Sequence, residues 1–382
     1  MPSRPEIFHL ICRKGIGGVQ SQFETYCKNL DKQQLQQMTV IEPCTRNGFK
    51  SYMYLIWQLL GLVYKCRRKS TVVHVYNGLV SSRYLVIFSL IRPINLVHHE
   101  RGNIWNLPAG LEWLARKNAS LAKIILCNSE ATKTLLSGQY EIQPSKLHVL
   151  YNGVHSAQDR ELYCLSGKDK DISENFEVGF VGRLEPHKGV HVLIDAIARL
   201  NNNGIHLTIV GDGSQKHSLE AQASQLGIDV TFTGRLDDSL VKMQQFDCLV
   251  VPSIREPLGN VIIEAGILGK TVIASKVDGI PEIIEHQENG ILVKADEEIP
   301  KRYSGFRIPI PRFVIDSDTG EVSFPRQLSS EKLASEILYL RNNFAERKRL
   351  GSNLRNSVLT KFSIEKYTDE LSRVYERLIN EV

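Results

Sequence analysis

The sequence predicts two doubly wound α/β domains in series, on three observations. The chain is 382 residues long, beyond the roughly 250 to 300 residues at which one hydrophobic core stops growing and a chain divides. Short β-rich runs alternate with longer helical patterns through residues 1–152, and the same rhythm restarts at residue 177; such alternation implies parallel strands joined by helical crossovers. Between the two series the periodicity is lost and polar and charged residues gather, as in a linker.

The first series reads IFHLIC (7–12), MTVIE (38–42), TVVHVY (71–76), INLVHH (94–99), KIILCN (123–128) and KLHVLYN (146–152). The second reads EVGFVG (177–182), HLTIVG (206–211), VTFTG (230–234), CLVVPS (248–253), TVIAS (271–275) and NGILV (289–293). These are near-continuous apolar runs, as expected of strands buried on both faces. The domains are therefore drawn as 1–155 and 177–362, with a linker at 156–176. An irregular insertion at 297–328 carries Pro300, Pro309, Pro311 and Pro325 and reads as a loop or hairpin. Helical spacing follows over Ser330 to Phe344. It returns at 363–382, where Ile364, Tyr367, Leu371, Val374, Tyr375 and Leu378 form one stripe suited to crossing back onto the first domain.

Composition excludes several classes. The hydrophobic share of 42% and the charged share of 23% are ordinary for a globular enzyme and unlike a disordered, fibrous or repeat-built chain. The seven cysteines (Cys12, Cys27, Cys44, Cys66, Cys127, Cys164 and Cys248) form no CxxC and lack His partners at metal spacing, which points to reduced, cytoplasmic thiols. The first residues show no secretory leader pattern. The most apolar stretch, Tyr52 to Tyr64, is shorter than the ~20 residues a membrane-spanning helix needs. The net charge of +5 is divided unevenly: residues 1–155 hold 19 Lys and Arg against 8 Asp and Glu, the remainder 28 against 34. The first half is thus suited to an anionic surface or acceptor. Without an aromatic-interleaved recognition motif, that excess does not read as nucleic-acid binding.

The most specific motif is Glu256-Pro-Leu-Gly-Asn-Val-Ile-Ile-Glu264, directly after the run CLVVPS. Strand, glycine turn and helix make an anion-binding layout. A helix beginning near Gly259 aims its N–H groups at a phosphate, and two flanking carboxylates are strong acceptors for sugar and ribose hydroxyls. The stretch EPLGNVIIEAGILGKTVIASKVDGIPEII resembles the E-x7-E segment of family 4 retaining glycosyltransferases. The resemblance extends to GFVGRLEPHKGVHVLIDAI (179–197), HLTIVGDGS, LVVPSIRE and the N-terminal GIGGVQ, and covers nearly the whole chain.

The resemblance implies a GT-B fold, two Rossmann-like doubly wound domains facing each other across a cleft. It further implies retaining transfer of a hexose-type sugar from a nucleotide diphosphate sugar, with a UDP-sugar favoured, to a glycan or glycolipid acceptor in lipopolysaccharide, capsule or exopolysaccharide assembly. No metal and no cofactor are implied. Carried over, Arg183 and Lys188 clamp the donor diphosphate, Glu264 binds the ribose and Glu256 faces the transferred sugar. The donor-binding set is Gly17, Gly18, Arg183, Lys188, Gly211, Leu258, Gly259, Asn260, Val261 and Glu264, with His99 beside the donor sugar. The basic pair also has a case of its own, because a departing nucleoside diphosphate develops negative charge that needs a counter-charge.

Each signal has a plainer reading. Gly15, Gly17 and Gly18 open a helix after the first run, a turn common to doubly wound domains, and Gln20 stands where relatives often carry Glu. His98 and His99 end a predicted strand, where crevice residues collect. Alternation lets only one of them face the cleft; the assignment goes to His99, with His98 the alternative. Asp169-Lys-Asp171 and Asp316-Ser-Asp318 lie in polar stretches, not after apolar strands, and read as turn residues, not metal ligands. His187 and His191 lack a third ligand nearby, so they read as loop and helix packing. Residues 51–68 combine apolar breadth with the basic tail KCRRK. This suits either a buried crossover helix or an interfacial one in peripheral contact with an anionic membrane. Rival functions are a non-catalytic nucleotide-sugar-binding protein and a GT-B epimerase or phosphorylase.

Overall fold

The computed structural model describes residues 5–11, 18–42, 60–153, 176–200, 204–300 and 310–380. Outside them lie Gly15, Gly17, Asp169, Asp171, Cys12, Cys44, Cys164, nearly all of the proposed linker, residues 51–59 of the basic apolar stretch and residues 301–309 of the insertion. The chain divides into two compact units, Met1–Ser156 together with Phe362–Val382, and Ala157–Lys361.

The first unit is built on a parallel sheet of six strands in the order β2-β1-β3-β4-β5-β6. They are β1 (Glu6–Leu10), β2 (Met38–Ile41), β3 (Thr71–Tyr76), β4 (Asn95–Glu100), β5 (Ile124–Cys127) and β6 (Leu147–Val149), so all six apolar runs become strands. Strand alternation sorts their side chains to two faces. Val73, Val75 and Leu96 pack with Phe8, Leu10, Ile41, Leu62, Cys66 and Phe88. Val72, Tyr76 and Val97 pack on the other face against the helix Ile364–Asn380. Ser81 and Ser129 start crossover helices by accepting the N–H of Tyr84 and Thr132 at 3.3 and 3.0 Å, which satisfies otherwise orphaned first-turn donors.

That C-terminal helix buries Ile364, Tyr367, Leu371, Tyr375 and Leu378, with Thr368 beside them. The Tyr375 hydroxyl reaches His74 Nδ1 at 2.6 Å, and His74 Nε2 meets His99 Nδ1 at 3.2 Å. Three buried polar side chains on β3, β4 and the terminal helix are thereby linked.

The second unit has a parallel sheet in the order β12-β11-β10-β7-β8-β9: β7 (Phe176–Val181), β8 (Ile205–Val210), β9 (Val230–Gly234), β10 (Cys248–Val251), β11 (Thr271–Ser275) and β12 (Ile291–Val293). Its order reverses between β7 and β10, the doubly wound arrangement whose ligand crevice opens beyond the carboxyl ends of those two strands. The described part of the insertion carries four short strands. β13 (Ala295–Glu297) pairs with β16 (Gln327–Leu328), and β14 (Val314–Asp316) forms a hairpin with β15 (Glu321–Ser323). Two helices, Ser330–Asn342 and Phe344–Lys361, complete the unit. Among the described residues no helix is long and apolar enough to cross a membrane.

Replacing Tyr375 by Phe removes the hydroxyl partner of His74 and leaves a buried ring nitrogen unpaired. The expected cost is about 1–3 kcal/mol, read as a lowered urea midpoint; an unchanged midpoint would show that the terminal helix is held by apolar packing alone.

Candidate active site

The site is assembled by loops leaving β7, β8, β10 and β11. After β7 the loop carries Arg183 and then a tight turn over Pro186–Lys188 that holds Lys188, with Gly189 at φ 67° closing it. A side chain at Gly189 would put its Cβ 2.0 Å from the Pro252 carbonyl oxygen, so only glycine lets the two backbones touch here. The His187 carbonyl accepts the N–H of Ile254 at 2.8 Å. Turn and β10 loop are thus bonded directly, and Lys188 is delivered beside Glu256.

Lys188 Nζ lies 2.5 Å from Glu256 Oε2 in an ion pair whose side chains are 16% and 11% exposed. Ser253 Oγ donates to the same oxygen at 3.3 Å. Arg183 stands exposed in the loop before the turn. Gly211 follows β8, its N–H donating to the Gly234 carbonyl at 2.9 Å. Leu258 is buried, and Gly259, at φ 107°, begins the helix Asn260–Ile267 without a side-chain cap. Asn260 and Val261 are half-buried in its first turn, and Glu264 is half-buried one turn further in. Burial raises the Glu264 carboxyl to about 7, with the Asp238 charge adding to the rise.

Beneath this surface lie charges that the motif reading left out. Arg255 is buried and its guanidinium is lowered to about 10, first by burial, against the opposing pull of Glu256 and Asp278. Asp278 is buried at φ 47°. Its carboxylate accepts two backbone N–H groups, Glu256 at 2.8 Å and Ile315 at 2.7 Å. Burial outweighs both bonds and the facing Arg255, so the carboxyl rises to about 8. The sequence signal was a lone Asp before Gly279, an αL-tolerant residue type in a turn, but nothing in it named the partners.

The remaining assignments fall elsewhere. Asp316 and Asp318 sit at the tip of the β14–β15 hairpin. Asp316 accepts the N–H of Asp318 and Thr319, while Asp318 pairs with Lys276 and Lys294, holding its carboxyl down to about 2. His191 meets Gln327 Oε1 at 2.9 Å, and His187 is buried with its imidazole kept far below the usual range by burial and nearby cations.

In the first unit, Gly18 begins the helix Gly18–Asn29 that follows β1. His98 and His99 point to opposite faces of the sheet. His98 lies against Phe88, and His99 stacks on Tyr76 and Tyr367. Both rings are fully buried, and burial lowers both, His98 to about 3.

Two family models match the chain in turn: Glycosyltransferase Family 4 over residues 16–158 and Glycosyl transferases group 1 over residues 167–301. The lipopolysaccharide core biosynthesis glycosyltransferase LpsE of Rhizobium meliloti is 32% identical over 169 residues, covering 42% of this chain and 48% of that protein. A glycogen synthase of Mycobacterium tuberculosis is 32% identical over 242 residues, covering 58% and 55%. The chain spans about half the length of the curated relatives it matches. Among solved structures, Anabaena HepE in complex with UDP and glucose superposes with a TM-score of 0.68 at 22% identity, over 98% of this chain and 100% of that one, a likeness of fold. Matched half by half by these models, and with two parallel sheets wound as in GT-B enzymes, the chain belongs to the family 4 glycosyltransferases.

Proposed function

We propose that this chain is a retaining, metal-independent glycosyltransferase that moves a hexose-type sugar from a UDP-sugar to a glycan or glycolipid acceptor in surface-polysaccharide assembly. The observation that carries the reading is the meeting of Lys188, Glu256 and the uncapped helix start at Gly259 where the sheet order reverses. In this reading Arg183, Lys188 and the first-turn N–H groups stabilise the departing diphosphate. Glu256 accepts hydroxyls of the transferred sugar and Glu264 those of the ribose. Two lysines already neutralise Asp318, which supports counter-charge from side chains and not from a metal held at Asp316 and Asp318. HepE in complex with UDP-glucose and the lipopolysaccharide relatives support the donor and the setting.

Screening UDP-, GDP- and ADP-sugars for thermal stabilisation and slow hydrolysis tests the donor, and stabilisation by none of them would defeat the reading. Replacing Lys188 by Ala is expected to lower transfer at least about a hundredfold, the loss of one transition-state donor, with the circular dichroism spectrum unchanged. Near-normal turnover would remove Lys188 from the clamp.

Glu264 supplies a pH test. Its raised pKa leaves it protonated below about 7, so the ionised acceptor for the ribose forms as the pH rises through that value. The folded state holds this proton more tightly than the unfolded one, so stability from this group falls over the same rise. UDP affinity should tighten between pH 6 and 8 in the wild type and stay flat in Glu264→Gln, measured calorimetrically; parallel curves would detach Glu264 from the ligand.

The first unit supports a peripheral contact with an anionic membrane. Residues 60–65 are helical, and Arg67 Nε donates to the Ile91 carbonyl at 3.3 Å, setting this segment beside the helix Ser82–Ile91. Leu60, Val63, Tyr64, Val86, Leu90 and Ile94 are exposed along the two, Tyr64 and Leu90 by more than 70%. Arg67, Arg68, Lys69, Arg83 and Arg92 are exposed among them, and no Asp or Glu occurs between Glu42 and Glu100. Apolar tips ringed by cations suit the headgroup layer of an acidic bilayer. Vesicles of phosphatidylglycerol are expected to carry the protein in flotation and phosphatidylcholine vesicles to leave it behind, with binding lost in Val86→Asp/Leu90→Asp. Equal behaviour toward both lipids would reject the surface.

A further inference from the structure

The loop after β11 joins the insertion to the candidate site through one carboxylate. Asp278 Oδ2 accepts the N–H of Glu256 at 2.8 Å and Oδ1 that of Ile315 at 2.7 Å. The Asp278 N–H returns to the Ile315 carbonyl at 3.1 Å, and the Gly279 N–H reaches the Glu256 carbonyl at 3.2 Å. A side chain at Gly279 would meet the Pro257 oxygen at 2.2 Å, so loop and motif backbone lie in direct contact. On its far side the hairpin is fastened to the same loop: Ser317 Oγ donates to the Lys276 carbonyl at 3.4 Å, and Lys276 and Lys294 both pair with Asp318. The residue before Glu256, Arg255, is buried facing both acids. Each of these two bonds holds a different segment. The left-handed backbone at φ 47° is tolerated by Asp because its short polar side chain bonds locally.

We propose that Asp278 is a positioning residue for Glu256: it fixes the backbone from which the Glu256 carboxylate reaches the donor sugar, and it makes the β14–β15 hairpin part of that support. The inference rests on the reading of Glu256 as sugar-facing. Asp278 touches no substrate in this arrangement; it acts by holding a main-chain N–H. The hairpin is therefore a brace for the donor loop.

Asp278→Asn keeps the shape but offers one acceptor oxygen where two N–H groups each need one, and turns an amide donor toward the second. Asp318→Asn, at an exposed position, loosens the hairpin without entering the core. Both are made alone and in a Glu256→Ala background, and four quantities are measured: melting temperature, UDP affinity by calorimetry, UDP-glucose turnover without acceptor, and its KM. In Asp278→Asn, UDP affinity should stay within about threefold of wild type while UDP-glucose turnover falls at least about tenfold, the scale on which small misplacements of a reacting group act. Asp318→Asn should shift turnover in the same direction by about two- to threefold. Neither change should lower turnover further once Glu256 is Ala, since residues acting through one another are non-additive. Equal losses for UDP and UDP-glucose, or undiminished losses in the Glu256→Ala background, would overturn the assignment and leave Asp278 a structural cap. Should Asp278→Asn fail to fold, Asp318→Asn decides by the same comparison. Wild-type protein that binds UDP but turns over no UDP-glucose, with Glu256→Ala indistinguishable from it, refutes the sugar-facing role of Glu256 and this inference with it. Normal wild-type turnover unchanged in Asp278→Asn refutes this inference alone.

Discussion

The candidate site depends on one steric constraint, the contact of two backbones at Gly189 and Pro252, where a Cβ would intrude to 2.0 Å. Strands β7 and β10 pair over only two registered positions, Val178 with Cys248 and Gly179 with Leu249. Beyond them the chain departs to separate helical neighbours. The helix Val190–Arg199 packs with Ser330–Asn342, and the helix Asn260–Ile267 with Phe344–Lys361. Two segments that diverge so early meet again only if something ties them. Here a glycine and the bond from Ile254 N–H to the His187 carbonyl do so. The Lys188–Glu256 pair is a consequence: both side chains leave backbones already fixed against one another, so little further entropy is lost in bringing them together.

Burial then decides which charges the site carries. Arg255 and Asp278 are both buried and each feels the other's charge and that of Glu256, and burial is the largest influence on both, pulling the guanidinium down to about 10 and the carboxyl up to about 8. Removing charge from water costs several kcal/mol per ion, and mutual attraction offsets this only with good geometry and further hydrogen bonds. Asp278 has that geometry: each of its oxygens takes one backbone N–H. What Asp278 adds is shape, through the two segments it holds. An apolar residue at 278 would not hold two separate segments by their N–H groups.

How much of this was legible in the sequence depends on whether the signal was local. All twelve runs with near-continuous apolar character became strands of the two parallel sheets, because burial on both faces writes itself into consecutive residues. Lys188, Glu256 and Gly259 were legible for the same reason, each sitting one turn beyond such a run. The helix Phe344–Lys361 drew no reading: its buried Leu350, Leu354 and Val358 recur every four residues, but they make a narrow apolar stripe in a mostly polar segment. Asp278 was invisible because its partners, Glu256 and Ile315, lie 22 and 37 residues away. The two histidines were legible only as a pair. Their division between Phe88 on one face and Tyr76 with Tyr367 on the other needed the terminal helix, whose Tyr367 comes from the far end of the chain.

The Lys188–Glu256 pair bears on how the proposed chemistry begins. Held at 2.5 Å with both side chains mostly buried, it neutralises a cation and an anion that would each be costly to leave alone in that place. A nucleoside diphosphate brings a denser negative charge than one carboxylate and several acceptor oxygens. In the proposed reading it would compete for the ammonium on better terms, with Arg183 exposed on the same loop and the helix at Gly259 starting without a side-chain cap. Were Lys188 to turn to the phosphates, Glu256 would lose its cation and regain acceptor capacity as a sugar's hydroxyls arrived. Ser253 Oγ and the N–H held by Asp278 keep the residue in place through that exchange. One ion pair in the ligand-free protein would thus store both halves of donor recognition and release them together, which is why the backbone of Glu256, more than its side chain, is what the surrounding fold is built to fix.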